Sequence, residues 1–140
     1  MSAILLCGCE KSELDKTVFA AKQLCLDWGS LRHEVIAIMG DNEAIDNDTS
    51  LIFTDWNGFS VVTYQFTDAF LSSTVALLPE TDEDMEVLGN RYLRGYKCLG
   101  RYSGTQVYAK ESTNTIAIIY PFTKDGVSYT AIGWSILSDR

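Results

Sequence analysis

A chain of 140 residues with 46% hydrophobic and 21% charged side chains can bury about 68% of its unfolded surface, so it needs neither metal nor disulfides to fold, and it is too apolar for long disorder. No apolar run reaches the ~20 residues of a membrane span, and a formal net charge of -8 opposes acidic membranes and makes direct nucleic-acid binding unexpected. The charge is divided along the chain: residues 1–90 hold 4 Lys/Arg and 16 Asp/Glu, residues 91–140 hold 7 and 3.

The N-terminal stretch "MSAILLCGCEKSELD" has a short apolar patch and no basic residues ahead of it, which is not a secretory pattern. A cytoplasmic location is expected, and with it reduced thiols at Cys7, Cys9, Cys25 and Cys98. Ala3–Cys7 predicts a buried strand. Ser12 with Asp15 approximates a capping box, and Leu14, Val18, Ala21, Cys25 and Trp28 form one helical stripe that Gly29 ends. Glu34–Met39, "EVIAIM", predicts a second strand, and "GDNEAIDNDTS" after it a polar acidic loop.

Leu51–Trp56 and Phe59–Phe66 flank Asn57-Gly58. This pair tolerates positive φ at both turn positions and predicts a hairpin. Within its second strand, Val62, Tyr64 and Phe66 share one face and Val61, Thr63 and Gln65 the other. Residues 68–78 predict a helix through Phe70, Leu71, Val75 and Leu78, although "SSTVALL" also reads as a strand. After Pro79, Thr81 and Asp84 approximate another capping box. Asp82, Glu83 and Asp84 then fall in a first helical turn, with Met85, Leu88, Tyr92 and Leu93 as the stripe and Arg91 and Arg94 in the last turns. The segments 106–110, 115–120 and 129–137 predict a β-meander, turned at "ESTN" and at Asp125-Gly126. The expected fold is one α+β domain, with two or three helices on one face of a mainly antiparallel sheet.

Three features invite chemistry and fall short of it. Cys7-Gly8-Cys9 has redox-active or soft-metal chemistry, but no second ligand cluster at zinc spacing accompanies it, so packed thiols are expected. Asp46, Asp48 and Ser50 match the alternate ligand places of a calcium loop, but the required Gly and Glu are replaced by Leu51 and Asn57. His33 is the single histidine, with no partner suggested by its neighbours, so a surface role is expected. Neither a phosphate loop nor a serine-elbow motif is present. No catalytic residue, metal or cofactor is expected.

Two interaction surfaces remain. The acidic residues Asp41, Glu43, Asp46, Asp48, Asp82, Glu83, Asp84 and Glu86 predict a face that meets a protein partner with a basic surface. On that reading the chain is a small binding protein, of the inhibitor, immunity or adaptor kind, or a nucleic-acid mimic. Alternatively Arg91, Tyr92, Arg94, Tyr96, Lys97, Arg101 and Tyr102 hold a nucleotide or another anion. Helix-end charges that complement the dipole explain the same cluster structurally, and Gly95 decides whether Lys97 and Arg101 stay on the helix. A third reading is a structural subunit of a larger assembly.

Overall fold

In the computed structural model, residues 24–40, 43–46, 49–56 and 58–137 are described. The expected strand at Ala3–Cys7 and most of the expected first helix lie outside these residues. The last part of that helix does not form: Leu24–Trp28 is irregular backbone.

Helix α1 (Arg32–Met39) and helix α2 (Met85–Tyr92) accompany strands β1 (Glu43–Asp46), β2 (Ser50–Trp56), β3 (Phe59–Thr67), β4 (Phe70–Pro79), β5 (Lys97–Tyr102), β6 (Thr105–Lys110), β7 (Thr115–Lys124) and β8 (Val127–Ile136). One turn of 3-10 helix, Glu111–Thr113, joins β6 to β7. All eight strands form one sheet in the order β1-β2-β3-β4-β8-β7-β6-β5, and every neighbouring pair is antiparallel. The α+β class and the antiparallel sheet match the sequence reading.

Two helix and strand assignments invert. "EVIAIM" belongs to α1, not to a strand. Val35 and Met39, four residues apart, are its buried positions, and the Leu31 backbone N–H donates to Glu34 Oε1 at 2.8 Å to start it. Residues 70–79 are strand, not helix. Leu71, Thr74, Ala76 and Leu78 are buried there, and Asp68 and Ala69 turn the chain with φ of 54° and 76°. That positive pair is the backbone of a tight hairpin turn. The acidic loop is likewise partly strand, since Glu43–Asp46 is the edge strand β1.

The predicted hairpin of β2 and β3 forms, with Trp56 paired to Phe59, as does the alternation along β3, with Val62, Tyr64 and Phe66 buried. The predicted meander forms and gains a fourth strand, β5, from the basic segment. The sheet has two distinct faces. Leu51, Tyr64, Thr74, Trp134, Ala117 and Tyr108 lie in register across six strands, and all are buried. All but Thr74 belong to one core cluster with Val35, Met39, Leu88 and Leu93, so both described helices pack on this face. One residue along, Ile52, Thr63, Val75, Gly133, Ile118 and Val107 form the parallel row on the other face. All of these are only half-buried.

Candidate functional site

Gly95 resolves the basic cluster. Helix α2 ends at Tyr92, where the Leu93 N–H donates to Gly89 O at 2.8 Å. Gly95 then takes φ of 86°, a left-handed conformation that glycine adopts without strain, and the chain turns into β5. Lys97 and Arg101 therefore stand on an edge strand, not on the helix. Arg94 lies just beyond the helix end.

Each basic residue then has a separate environment. Arg91 makes a two-pronged pair with Glu83, at 2.8 and 2.7 Å. This pair holds the Glu83 carboxyl below the usual carboxylate range and raises the Arg91 guanidinium. Arg101 donates to Gln106 Oε1 at 3.0 Å. Tyr102 is exposed and donates to Leu99 O at 3.1 Å. Lys97 is exposed.

Tyr92, Arg94 and Tyr96 converge. They line a cavity of about 1150 Å³ between the Leu24–Trp28 segment, the end of α1, the end of α2 and the packed face of the sheet. This volume lies just above the range of about 300–1,000 Å³ common for small-molecule sites. Trp28, Trp56 and Trp134 also line it, and these are all the tryptophans in the chain. Lys110 reaches it from β6, its Nζ 5.6 Å from the centre of the Tyr96 ring, within cation–π range. Among the described residues, neither Arg94 nor Lys110 forms an ion pair. One carboxylate, Asp27, shares the wall.

The walls are held by a chain of contacts. Trp28 Nε1 donates to Thr115 Oγ1 at 2.8 Å, which ties the irregular segment to β7. Trp56 Nε1 donates to Met39 O at 3.0 Å, which closes the end of α1. Tyr64 donates to Met39 Sδ at 2.8 Å and accepts from the Cys25 N–H at 3.1 Å. Phe59 lies against Tyr92, with ring centres 5.7 Å apart, and stacks on Trp56 at 6.5 Å. Burial pushes the Tyr92 and Tyr96 hydroxyls above the ordinary tyrosine value, and for Tyr96 hydrogen bonding to Trp134 and Thr115 acts in the opposite direction. Both therefore stay protonated at neutral pH and can donate to an acceptor. Burial likewise raises the Cys25 thiol, which keeps it an unreactive wall group.

A second groove of about 800 Å³ runs between α2 and β6 and shares Arg94 and Tyr96 with the cavity. Tyr108 lines it beside Gly89, held by a 2.8 Å hydrogen bond from Gln106 Nε2. Cys98 is exposed there, with Gln106 Nε2 3.9 Å from its sulfur.

The acidic residues fall in two places. Asp82, Glu83, Asp84 and Glu86 are exposed around the start of α2. Glu86 sits in the first helical turn, while Asp84 is the residue before the helix and Asp82 and Glu83 precede it. Glu43 and Asp46 belong to β1, at the far edge of the sheet. Asp41 and Asp48 lie outside the described residues, as do Cys7 and Cys9. Ser50, the third place of the calcium-like pattern, is buried at the start of β2. His33 is exposed on α1. Among the described residues, no three His, Cys, Asp or Glu side chains come together as a metal site, and no helix is long and apolar enough to cross a membrane. No protein-family description, curated protein or solved structure matches this chain.

Proposed function

We propose that the protein is a single-domain binding protein whose cavity holds an anion carried on a flat ring, such as a nucleoside monophosphate, an aryl phosphate or an aryl carboxylate. The observation that carries this reading is Arg94 and Lys110, which form no ion pair among the described residues, at a cavity lined by three tryptophans and two tyrosines. A guanidinium fork matches phosphate or carboxylate. Lys110 adds a point charge, the two tyrosine hydroxyls add donors, and the half-buried indole of Trp28 supplies an aromatic surface for the ring. Binding, not turnover, is the activity proposed, because among the described residues that line the cavity no nucleophile is paired with a base.

The test is a thermal-shift panel on the full chain. A ligand present at 100 times its dissociation constant stabilises the fold by about 2.7 kcal/mol. Ring-bearing phosphates or carboxylates should raise the melting temperature, while sugar phosphates without an aromatic ring should do so less. No shift across the whole panel ends this reading.

A second reading keeps the acidic surface. Asp82, Asp84 and Glu86 are exposed at the start of α2, positioned to steer a protein with a basic surface, as an inhibitor, immunity-type protein or adaptor does. Reversing all three to Lys should slow association with a partner recovered by affinity capture. Capture that the reversal leaves unchanged excludes this surface.

A further inference from the structure

The space around Arg94 does not end at the cavity. Arg94 and Tyr96 line both the cavity and the groove of about 800 Å³ between α2 and β6. Gly95, between them in the chain, lines the groove, and a Cβ added there would lie 3.7 Å from Lys110 Nζ. The turn at residues 94–96 is therefore a partition with a compartment on each side, and both cations stand at it. We infer that the ligand is a phosphodiester with two arms. Its phosphate lies at Arg94, an aromatic ring fills the cavity, and a hydrogen-bonding arm such as a second nucleoside occupies the groove. This rests on the anion-site reading of the cavity.

Three observations select a diester over a terminal phosphate. The first is space. At about 800 Å³ the groove is itself within the range of about 300–1,000 Å³ of small-molecule sites. A ring with a terminal phosphate at Arg94 leaves it unused. An ester on another oxygen of the same phosphate can carry a substituent into it, because Arg94 borders both compartments.

The second is charge. Among the described residues that line the cavity, the charged ones are Arg94, Lys110 and Asp27, which leaves one net positive charge. A phosphate monoester carries about -1.5 to -2 at neutral pH. A diester carries a single negative charge and so matches. A second phosphate in the groove is disfavoured on the same ground. Glu86 lines the groove, and its Arg91 is already held by Glu83 at 2.8 and 2.7 Å.

The third is the chemistry of the groove. Gln106 and Tyr108 form part of its wall. Gln106 is 4% exposed; its Nε2 donates to the Tyr108 hydroxyl at 2.8 Å, and its Oε1 accepts from Arg101 at 3.0 Å. These bonds fix that wall in place. Asn90 and Glu86 are exposed at the groove. The amide supplies a donor and an acceptor, and the carboxylate supplies further acceptors. Ribose hydroxyls and base edges carry groups that complement both. Polar groups on a fixed wall orient a ligand arm rather than merely admit it.

The test uses the full chain and three ligands that share a base: a nucleoside monophosphate, its methyl diester and the dinucleoside monophosphate, run with adenosine and again with uridine. The methyl diester has the charge of the dinucleoside monophosphate and no second arm. Tryptophan fluorescence reads the cavity. The groove is read at Cys98, which is exposed and lines the groove but not the cavity, by iodoacetamide labelling resolved to this residue by peptide mass spectrometry. The dinucleoside monophosphate should bind roughly tenfold more tightly than the methyl diester, the effect of two added hydrogen bonds. It should also slow the labelling of Cys98, which the saturating methyl diester leaves unchanged. Equal affinity for the two diesters overturns the inference, as does Cys98 labelling that the bound dinucleoside monophosphate does not slow. With the one-armed ligands still bound, either result leaves the cavity reading standing. Fluorescence that responds to none of these ligands removes the inference together with the nucleotide form of the cavity reading.

Discussion

Gly89 sets how closely α2 approaches the sheet, and replacing it with alanine isolates that approach. On an exposed helix the change would stabilise, because glycine costs about 1 kcal/mol relative to alanine in a helix interior. Here an added Cβ would lie 2.6 Å from Tyr108 Cζ and closer still to its hydroxyl. Tyr108 cannot swing aside cheaply. It is 6% exposed, it stands on β6 between its register partners Cys98 and Ala117, and its hydroxyl accepts from Gln106 Nε2 at 2.8 Å. Overpacking of a filled core costs about 1–3 kcal/mol. Of this, ~1 kcal/mol is offset by helix propensity, which leaves a net loss of up to about 2 kcal/mol. For a domain of this length that is a fall of several degrees in Tm, at about 3–5 °C per kcal/mol. Urea unfolding of Gly89→Ala, Tyr108→Phe and the double variant measures it. The double variant should recover part of the loss, with a coupling of at least about 0.5 kcal/mol. A Gly89→Ala chain that is ~1 kcal/mol more stable than wild type would refute the close approach.

Two further outcomes follow from single groups. Thr74 is fully buried between Tyr64 and Trp134 in the sheet register, and its hydroxyl has no hydrogen-bond partner; Thr74→Val should raise stability by about 1 kcal/mol in chemical denaturation, since an unsatisfied buried hydroxyl costs about 1–3 kcal/mol, and a loss of that size would contradict the burial. Glu83 has a folded pKa held below its ordinary value of 4.5 by Arg91. Its contribution is therefore present above that ordinary value and is lost as pH falls through the folded value. The Tm difference between wild type and Glu83→Gln should shrink as pH drops from about 6 to about 3, and a difference that grows on acidification would refute the pairing.

The readable parts of the fold were those with local signals. Asn57-Gly58 announced its hairpin, and β3 announced its two faces by strict alternation. The misread parts lacked such signals. In "EVIAIM" every residue after Glu34 is apolar, so the four-residue spacing of Val35 and Met39 was hidden among Ile36 and Ile38, which stay partly exposed. The β3–β4 turn uses Asp68 and Ala69 at positive φ; Asp tolerates that region but Ala does not favour it, so the pair does not read as a hairpin turn and the strand after it reads as a helix. Strand β5 is an edge strand, exposed along almost its whole length, so it had no apolar pattern to read.

The candidate site was legible only where it is local. Tyr92, Arg94 and Tyr96 lie within five residues and were legible as a cluster. Lys110, Trp28 and Trp134 reach the same cavity from remote parts of the chain, and only the sheet register brings them together. The scarcity of tryptophan was the available hint, since large aromatic residues often converge at binding sites.

That convergence also supplies the most direct measurement. Because all three tryptophans line the cavity, intrinsic fluorescence of the full chain reports its occupancy. Titration with a nucleoside monophosphate and with an aryl phosphate or carboxylate should give a saturable change for at least one of them. Arg94→Ala and Lys110→Ala should each weaken it roughly tenfold or more, the effect of losing a charged hydrogen bond of about 1.5–3 kcal/mol. Fluorescence that does not respond to any of these ligands, or a response that both variants leave unchanged, would contradict the assignment of this cavity as the binding site.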